Sequence, residues 1–236
     1  MKAIQKEVDR GHTIGPFTDP PFVPCHTSPI GIVDKKDGSH RLILDLSNNH
    51  AGSVNEGINI EEFSVSYCSF DDAISLVLGA GPTPFMAKVD IKHAFRLCPV
   101  RPDEWALLCF TWDDMFYFDT RLPFGLRSSP FIFNSFADAL MWALSHNLNI
   151  RFVIHYLDDF FLCHSSFLAC QTDMQRLIGM FDRIGVPLAS DKVEGPSSCL
   201  TFLGIEIDTV ARTIRLPAVR SSSYYYFRLG QQSKVL

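Results

Sequence analysis

Aspartates stand inside apolar, strand-like sequence at two stations of this 236-residue chain, and a charge in such a place restricts how the strands can pair. The first is Asp90 in Met86-Ala87-Lys88-Val89-Asp90-Ile91, and the second is the adjacent pair Asp158-Asp159 in His155-Tyr156-Leu157-Asp158-Asp159-Phe160. Side chains alternate between the two faces of a strand, so Phe85, Ala87, Val89 and Ile91 share one face and Met86, Lys88 and Asp90 the other. The Asp90 carboxylate is thereby expected to face away from the core. Arg151 to Tyr156 runs into the second station and Phe160 to Cys163 runs out, leaving Leu157-Asp158-Asp159 as a tight hairpin tip. If the two strands are neighbours, three acids converge. Like charges that close raise one another's pKa and oppose folding unless divalent cations bridge them. This is the electrostatic layout of a two-metal phosphoryl-transfer site. A plainer reading stands beside it, because Asp-Asp suits any solvated turn and a lone Asp can lie on an edge strand.

With 47% hydrophobic residues the chain can bury a core of one large domain or two small ones. Its seven cysteines (25, 68, 98, 109, 163, 170 and 199) are odd in number and form no C-x-x-C pair, which fits neither a zinc site nor a disulfide framework. Reduced thiols and an intracellular compartment, cytoplasm or nucleus, are the expectation. The N-terminal residues form no apolar signal-peptide core, and no apolar run approaches a membrane span. The net charge of −5 runs against a nucleic-acid binder, which usually carries a basic surface, although local Lys and Arg can offset acids at a site.

Five prolines between Pro16 and Pro29 make that stretch extended and irregular, and residues 1–29 read as a lead-in. Ile30 to Asp34 and Arg41 to Asp45 flank Lys35-Lys36-Asp37-Gly38, an Asp-Gly hairpin with lysines at its tip. Ser69-Phe-Asp-Asp72 reads as a capping box opening a helix over Phe70 to Leu78, closed by Gly79, Gly81 and Pro82. Trp105 to Thr120 alternates and turns at Asp113-Asp114, whose acids serve the turn. Ser128-Ser129-Pro130 starts a helix with Ile132, Phe133, Phe136, Ala137, Leu140 and Leu144 as its apolar stripe. Ser165 or Ser166 caps another, which carries Phe167, Cys170, Met174, Leu177, Ile178, Phe181 and Ile184 and ends at Gly185 and Pro187. Helices on a largely antiparallel sheet make an α+β layout. Thr201 to Asp208 reads as a strand with a turn, whereas residues 211–236 read as a frayed or truncated tail.

The order of these pieces carries more than any one of them. A basic hairpin, Asp90-Ile-Lys-His-Ala-Phe95, Leu122-Pro-Phe-Gly125 opening a helix, Tyr156-Leu-Asp-Asp159, Gly185-Val-Pro-Leu-Ala-Ser-Asp-Lys192 and Phe202-Leu-Gly-Ile-Glu-Ile207 resemble the successive motifs of a reverse transcriptase. The resemblance covers roughly residues 16 to 210. Asp71-Asp72-Ala73, Leu122 to Pro130 and Phe202 to Thr209 look most like the DIRS-like retrotransposons, which integrate with a tyrosine recombinase.

The resemblance implies a fingers-and-palm fold, with fingers at 30–85 and 101–121 and palm at 86–100 and 122–210, and an RNA-directed DNA polymerase extending a primer on an RNA or DNA template with dNTPs. It further implies two Mg²⁺, with Mn²⁺ as an alternative, bound by Asp90, Asp158 and the Ile91 carbonyl with Asp159 as a supporting acid. Lys35 or Lys36 and Arg41 match residues that clamp the triphosphate. Phe95 matches the aromatic that rejects a 2′-hydroxyl, and Phe124 and Gly125 the nucleotide-pocket lining, where glycine lets a ligand approach the backbone. Lys192 matches a lysine that protonates pyrophosphate, and Phe202, Leu203 and Gly204 fall in the primer grip. The chain shows neither the helical thumb nor the RNase H domain of the family in recognisable form, which leaves those regions to a longer polyprotein. A catalytically silent fragment that only binds nucleic acid or protein, an RNA-templated RNA polymerase and a carboxylate-dyad hydrolase remain as competing readings. Phe95 speaks against the second, and the basic hairpin and Pro-Phe-Gly loop against the third.

Overall fold

The computed structural model describes residues 2–34, 38, 40–48, 52–217 and 234–235. Along the chain come α1 (Lys2–Asp9), β1 (Thr13–Phe17), β2 (Ile30–Asp34), β3 (His40–Leu44), α2 (Phe70–Ala80), β4 (Phe85–Asp90), β5 (Cys109–Trp112), β6 (Met115–Asp119) and α3 (Ser129–His146). There follow β7 (Val153–Tyr156), β8 (Asp159–His164), α4 (Phe167–Arg183), β9 (Glu194–Ser197), β10 (Cys199–Phe202), β11 (Ile205–Asp208), β12 (Thr213–Arg215) and β13 (Lys234–Val235). They divide into two compact units, Met1–Val65 with His93–Phe136, and Ser66–Lys92 with Ala137–Leu236.

In the first unit an antiparallel sheet of order β1-β6-β5 and the β2-β3 hairpin surround a core of Leu42, Leu44, Leu46, Leu108, Phe110 and Leu122. Asp113 and Asp114 both take positive φ (54° and 58°), the two-residue turn whose twist matches a hairpin, so these acids do serve the turn. The lead-in is more ordered than its prolines suggest. It contains α1 and β1, because Ile4 enters the core and β1 pairs with β6. Charge completes the anchorage. The buried Arg96 guanidinium donates to Asp119 Oδ2 (2.6 Å) and lies 3.2 Å from Glu7 Oε2, while Thr13 donates its hydroxyl to the other Asp119 oxygen.

In the second unit, a sheet of order β7-β8-β4-β9 holds both acid stations, and a second antiparallel sheet runs β10-β11-β12-β13. Ser69 caps α2 by accepting from Asp72 N, and Ser166 caps α4 by accepting from Ala169 N. Both faces of β4 are covered. Met86, Phe161 and Cys163 pack with Ala73, Val77 and Ala80 of α2 and with Phe202, whereas on the other face Phe160 of β8 meets Phe181 of α4. The expectation that Asp90 points away from the core is therefore corrected. Its face is a core of its own, and Asp90 is 6% exposed. Within the stretch read as a tail, β12 pairs with β11, and Lys234–Val235 with β12, since an edge strand needs backbone partners more than a side-chain pattern; residues 218–233 and 236 lie outside the described residues.

All seven cysteines are free thiols; burial pushes Cys163 and Cys170 up to about 12. Among the described residues no helix is long and apolar enough to cross a membrane.

Burial works against the Glu7 carboxylate, but Arg96, His12 and Arg10 outweigh it and hold the group below the ordinary glutamate value. A depressed folded pKa contributes stability above the unfolded value near 4.5, and that stability is lost as pH falls through the folded pKa. Glu7→Gln is therefore expected to cost about 1.5 to 3 kcal/mol near pH 5, the range for hydrogen bonds to charged groups, with the deficit shrinking toward pH 3. Urea unfolding across that interval checks it. A deficit that grows with acidity would contradict the assignment.

Candidate active site

The site is assembled at the end of β4. Six consecutive residues of β4 pair with β8, the last pair being Asp90 with Asp159, so the two carboxylates project from neighbouring strands on the face shared with Lys88 and Phe161. Tyr156 pairs with Asp159, which leaves Leu157 and Asp158 as the turn, with Leu157 at φ 51°. Ile91 N donates to the Asp158 carbonyl (2.9 Å) and ties this turn to the end of β4.

The segment after α4 brings the counter-charge. Lys92 N donates to Pro187 O (2.8 Å) and Ala189 N to Asp90 O (2.9 Å), so residues 187–189 run along the end of β4. Lys192 then lies one short 3-10 turn further on, with Nζ 2.7 Å from Asp90 Oδ2. Burial disfavours its charge, but the bond to Asp90 and the fields of Asp90, Asp158 and Asp159 outweigh that and raise its pKa above the ordinary lysine value. Asp159 responds in the opposite sense to its own charge. Burial, then Asp90 and Asp158, then a hydrogen bond with Asp90 push its carboxyl up to about 7, and Lys88 only partly offsets them. The Asp159 carboxyl is thus shifted far above the ordinary aspartate range by burial and by the acids beside it.

Carboxylates and carbonyls are the donors that hard divalent cations take, so the chemistry of the donors gathered at the end of β4 fits such a cation. Among the described residues, no group of three His, Cys, Asp or Glu side chains is arranged to hold a metal ion by itself. The Lys192 ammonium holds Asp90 instead.

Two supports escaped the sequence reading. Lys88 donates to the Thr201 carbonyl (2.9 Å) and pairs with Glu194 (2.9 Å), joining β4 to the β10-β11 hairpin beneath the acids. Its place on the Asp90 face was the available signal. His155 bonds through Nδ1 to the Leu157 carbonyl (3.1 Å) and through Nε2 to Asp138 (2.9 Å), bracing the turn from within β7. Phe202 is buried and stacks on Phe161 at 4.7 Å, an anchor in the core, and Leu203 and Gly204 form the tip of the β10-β11 hairpin at φ 47° and 80°.

The other expected residues lie in the first unit. The Arg41 guanidinium sits over the Phe124 ring at 4.3 Å, and Phe124 meets Phe95 at 5.1 Å, which in turn meets Phe133 at 5.7 Å. Gly125 takes φ 107°, and a Cβ there would lie 1.8 Å from the Leu44 carbonyl oxygen, so the position tolerates only glycine. Lys35 and Lys36 lie outside the described residues.

The family described as reverse transcriptase (RNA-dependent DNA polymerase) matches residues 33–207. The chain belongs to the reverse transcriptase family. Protein P of heron hepatitis B virus is 26% identical over 210 residues, covering 87% of this chain and 25% of that protein. The Gag-Pro-Pol polyprotein of squirrel monkey retrovirus is 23% identical over 211 residues, covering 86% and 10%. The chain thus spans about a quarter or less of these relatives. In three dimensions it resembles the foamy viral protease-reverse transcriptase dRH in complex with double-stranded DNA, with a TM-score of 0.72, 20% identity, and coverage of 92% of this chain and 35% of that one. The foamy viral enzyme in complex with an RNA/DNA hybrid gives 0.65, 20%, 92% and 26%. These likenesses show the fingers-and-palm fold.

The crowding of like charge has a measurable consequence in metal-free buffer. Lys192→Met is expected to lower stability by about 1 kcal/mol, a modest figure because its side chain is 57% exposed, while Asp158→Asn is expected to raise it. Urea midpoints of the two variants check both signs. A destabilised Asp158→Asn would refute the crowding.

Proposed function

We propose that this chain is the polymerase module of an RNA-directed DNA polymerase that extends a primer on an RNA or DNA template with dNTPs. The observation that carries the reading is the in-register pairing of Asp90 with Asp159 beside Asp158, with Lys192 bonded to Asp90. The family membership and the two nucleic-acid-bound foamy viral structures support it. We assign the fingers to 30–85 and 101–121 and the palm to 86–100 and 122–210, with further thumb and RNase H regions belonging to a longer polyprotein, as the greater length of the relatives suggests. The Asp71-Asp72-Ala73, Leu122–Pro130 and Phe202–Thr209 phrases favour a DIRS-like retrotransposon as the source.

In this reading Asp90, Asp158 and the Ile91 carbonyl hold two Mg²⁺, or Mn²⁺, with Asp159 in support. When bound, these ions supply the positive charge that acidifies the primer hydroxyl and neutralises the triphosphate. The residues of the chain do the rest. Lys192, kept protonated by the acids around it, is placed to leave Asp90 for the pyrophosphate and to give it a proton. Lys35, Lys36 and Arg41 hold the triphosphate, Arg41 being steered by the Phe124 face. Phe124 and Gly125 line the base and sugar, Phe95 excludes a 2′-hydroxyl, and the Leu203-Gly204 tip holds the primer.

Primer extension with dNTPs tests the reading. Wild type is expected to extend, and Asp90→Asn or Asp158→Asn to lose about 10³-fold, in line with removal of a charge that stabilises a transition state. Mg²⁺ or Mn²⁺ should also raise the melting temperature of wild type but not of Asp158→Asn, since a ligand bound only to the native state stabilises it. No extension by wild type, or an undiminished metal response in the variant, sinks the proposal.

Sugar selection gives a separate test. Phe95→Val is expected to raise the rNTP/dNTP incorporation ratio about 10²-fold while most dNTP use survives, because relief of a steric clash is worth a few kcal/mol. An unchanged ratio removes Phe95 from the pocket.

A further inference from the structure

Asn55 is 4% exposed in the first unit, within a short 3-10 turn, Val54–Gly57, that no motif singled out. Its amide is fully committed. Nδ2 donates both hydrogens, one to Ser47 Oγ and one to the Gly125 carbonyl, each at 2.8 Å, and Oδ1 accepts from Arg127 N at 2.8 Å. The orientation of the amide follows from its partners, since a carbonyl can only accept and a backbone N–H can only donate. Its backbone is used as well: Asn55 N donates to Leu46 O (3.0 Å), and Arg127 Nη1 donates to the carbonyls of Asn55 (2.5 Å) and Ile58 (3.0 Å).

These bonds join two segments. One is the turn of Leu46 and Ser47 that directly follows β3, the strand that carries Arg41. The other is the loop of Phe124, Gly125 and Arg127. The same two segments also meet through Leu44 N, which donates to Phe124 O at 2.9 Å, and through the Arg41 guanidinium over the Phe124 ring. Gly125 approaches Leu44 so closely that no side chain fits between them. The loop is therefore pressed on β3, and Asn55 is the side chain that binds it from both sides.

We propose that Asn55 is a positioning residue for nucleotide binding: it fixes the Phe124-Gly125 loop against the Arg41 strand and so sets the affinity for the incoming dNTP without touching it. This rests on the polymerase reading above. The substitutions separate the arms. Asn55→Asp keeps the acceptor for Arg127 N but sets an oxygen against the Gly125 carbonyl, whereas Asn55→Ala removes both.

Steady-state primer extension with wild type, Asn55→Asp and Asn55→Ala is read as KM for dNTP against kcat, together with hydrogen exchange of the amides over residues 122–127. Both variants are expected to raise KM about 10-fold with kcat within about 3-fold, the pattern of lost ground-state binding. The Arg127 amide is expected to exchange faster in Asn55→Ala than in Asn55→Asp. A fall in kcat at unchanged KM, or variants that lose thermal stability with unchanged KM, overturns the proposal, because a merely structural role would do no more than that. If wild type extends no primer, the polymerase reading fails by itself, and exchange then decides the loop: unchanged protection over 122–127 in Asn55→Ala overturns the positioning as well.

Discussion

Asp90 and Asp159 face each other across two central strands, and the rest of the second unit is arranged around the cost of that pairing. A slip of β4 by one residue would turn Asp90 to the opposite face, where Phe160 meets α4, and would bring Lys88 and Met86 with it. The apolar contacts of Met86, Phe161 and Cys163 against α2 hold the register so firmly that the acids must stay where they are. Hydrophobic packing thus fixes an electrostatic arrangement that would not form by itself. The Lys192 ammonium reduces the repulsion within the unit.

Chain return explains why motifs far apart in sequence act together. The Gly185 to Lys192 stretch ends α4 and then runs along the end of β4 through backbone bonds at Asp90 and Lys92, which delivers Lys192 to Asp90. Lys88 performs a similar service toward the β10-β11 hairpin, and His155 toward the Leu157-Asp158 turn. In the first unit Asn55 and Arg127 stitch the Pro-Phe-Gly loop to the strand of Arg41. Lys88, His155, Asn55 and Arg127 each bond at least one backbone carbonyl, which ties the side chain to the path of the chain as well as to a neighbouring side chain.

Much of the element structure was legible. The capping serines at 69 and 166, the Asp113-Asp114 turn, the Tyr-Leu-Asp-Asp hairpin and the strands that carry the acids depend on residues within one turn of each other, and local sequence carries that information. The order of the motifs also led to the family that residues 33–207 match. Burial was less legible. Ile132 and Ile184, read as parts of apolar stripes, are 38% and 54% exposed, while Asn55 and Arg96 are almost fully buried. A helical period tells which residues share a face but not how wide the partner covering it is.

The sequence by itself determined the strands and turns that carry the three aspartates, the glycine at 125 and the chemical character of the site, because alternation, capping and left-handed turns are settled by neighbouring residues. Only the tertiary structure decided that the Asp90 face is itself a core, that Lys192 reaches Asp90, that Arg96 anchors α1 and that Asn55 binds the loop. Those outcomes depend on which surfaces cover one another and on contacts between residues as many as 102 positions apart. Period-two patterning names the members of a face and is silent about what lies on it.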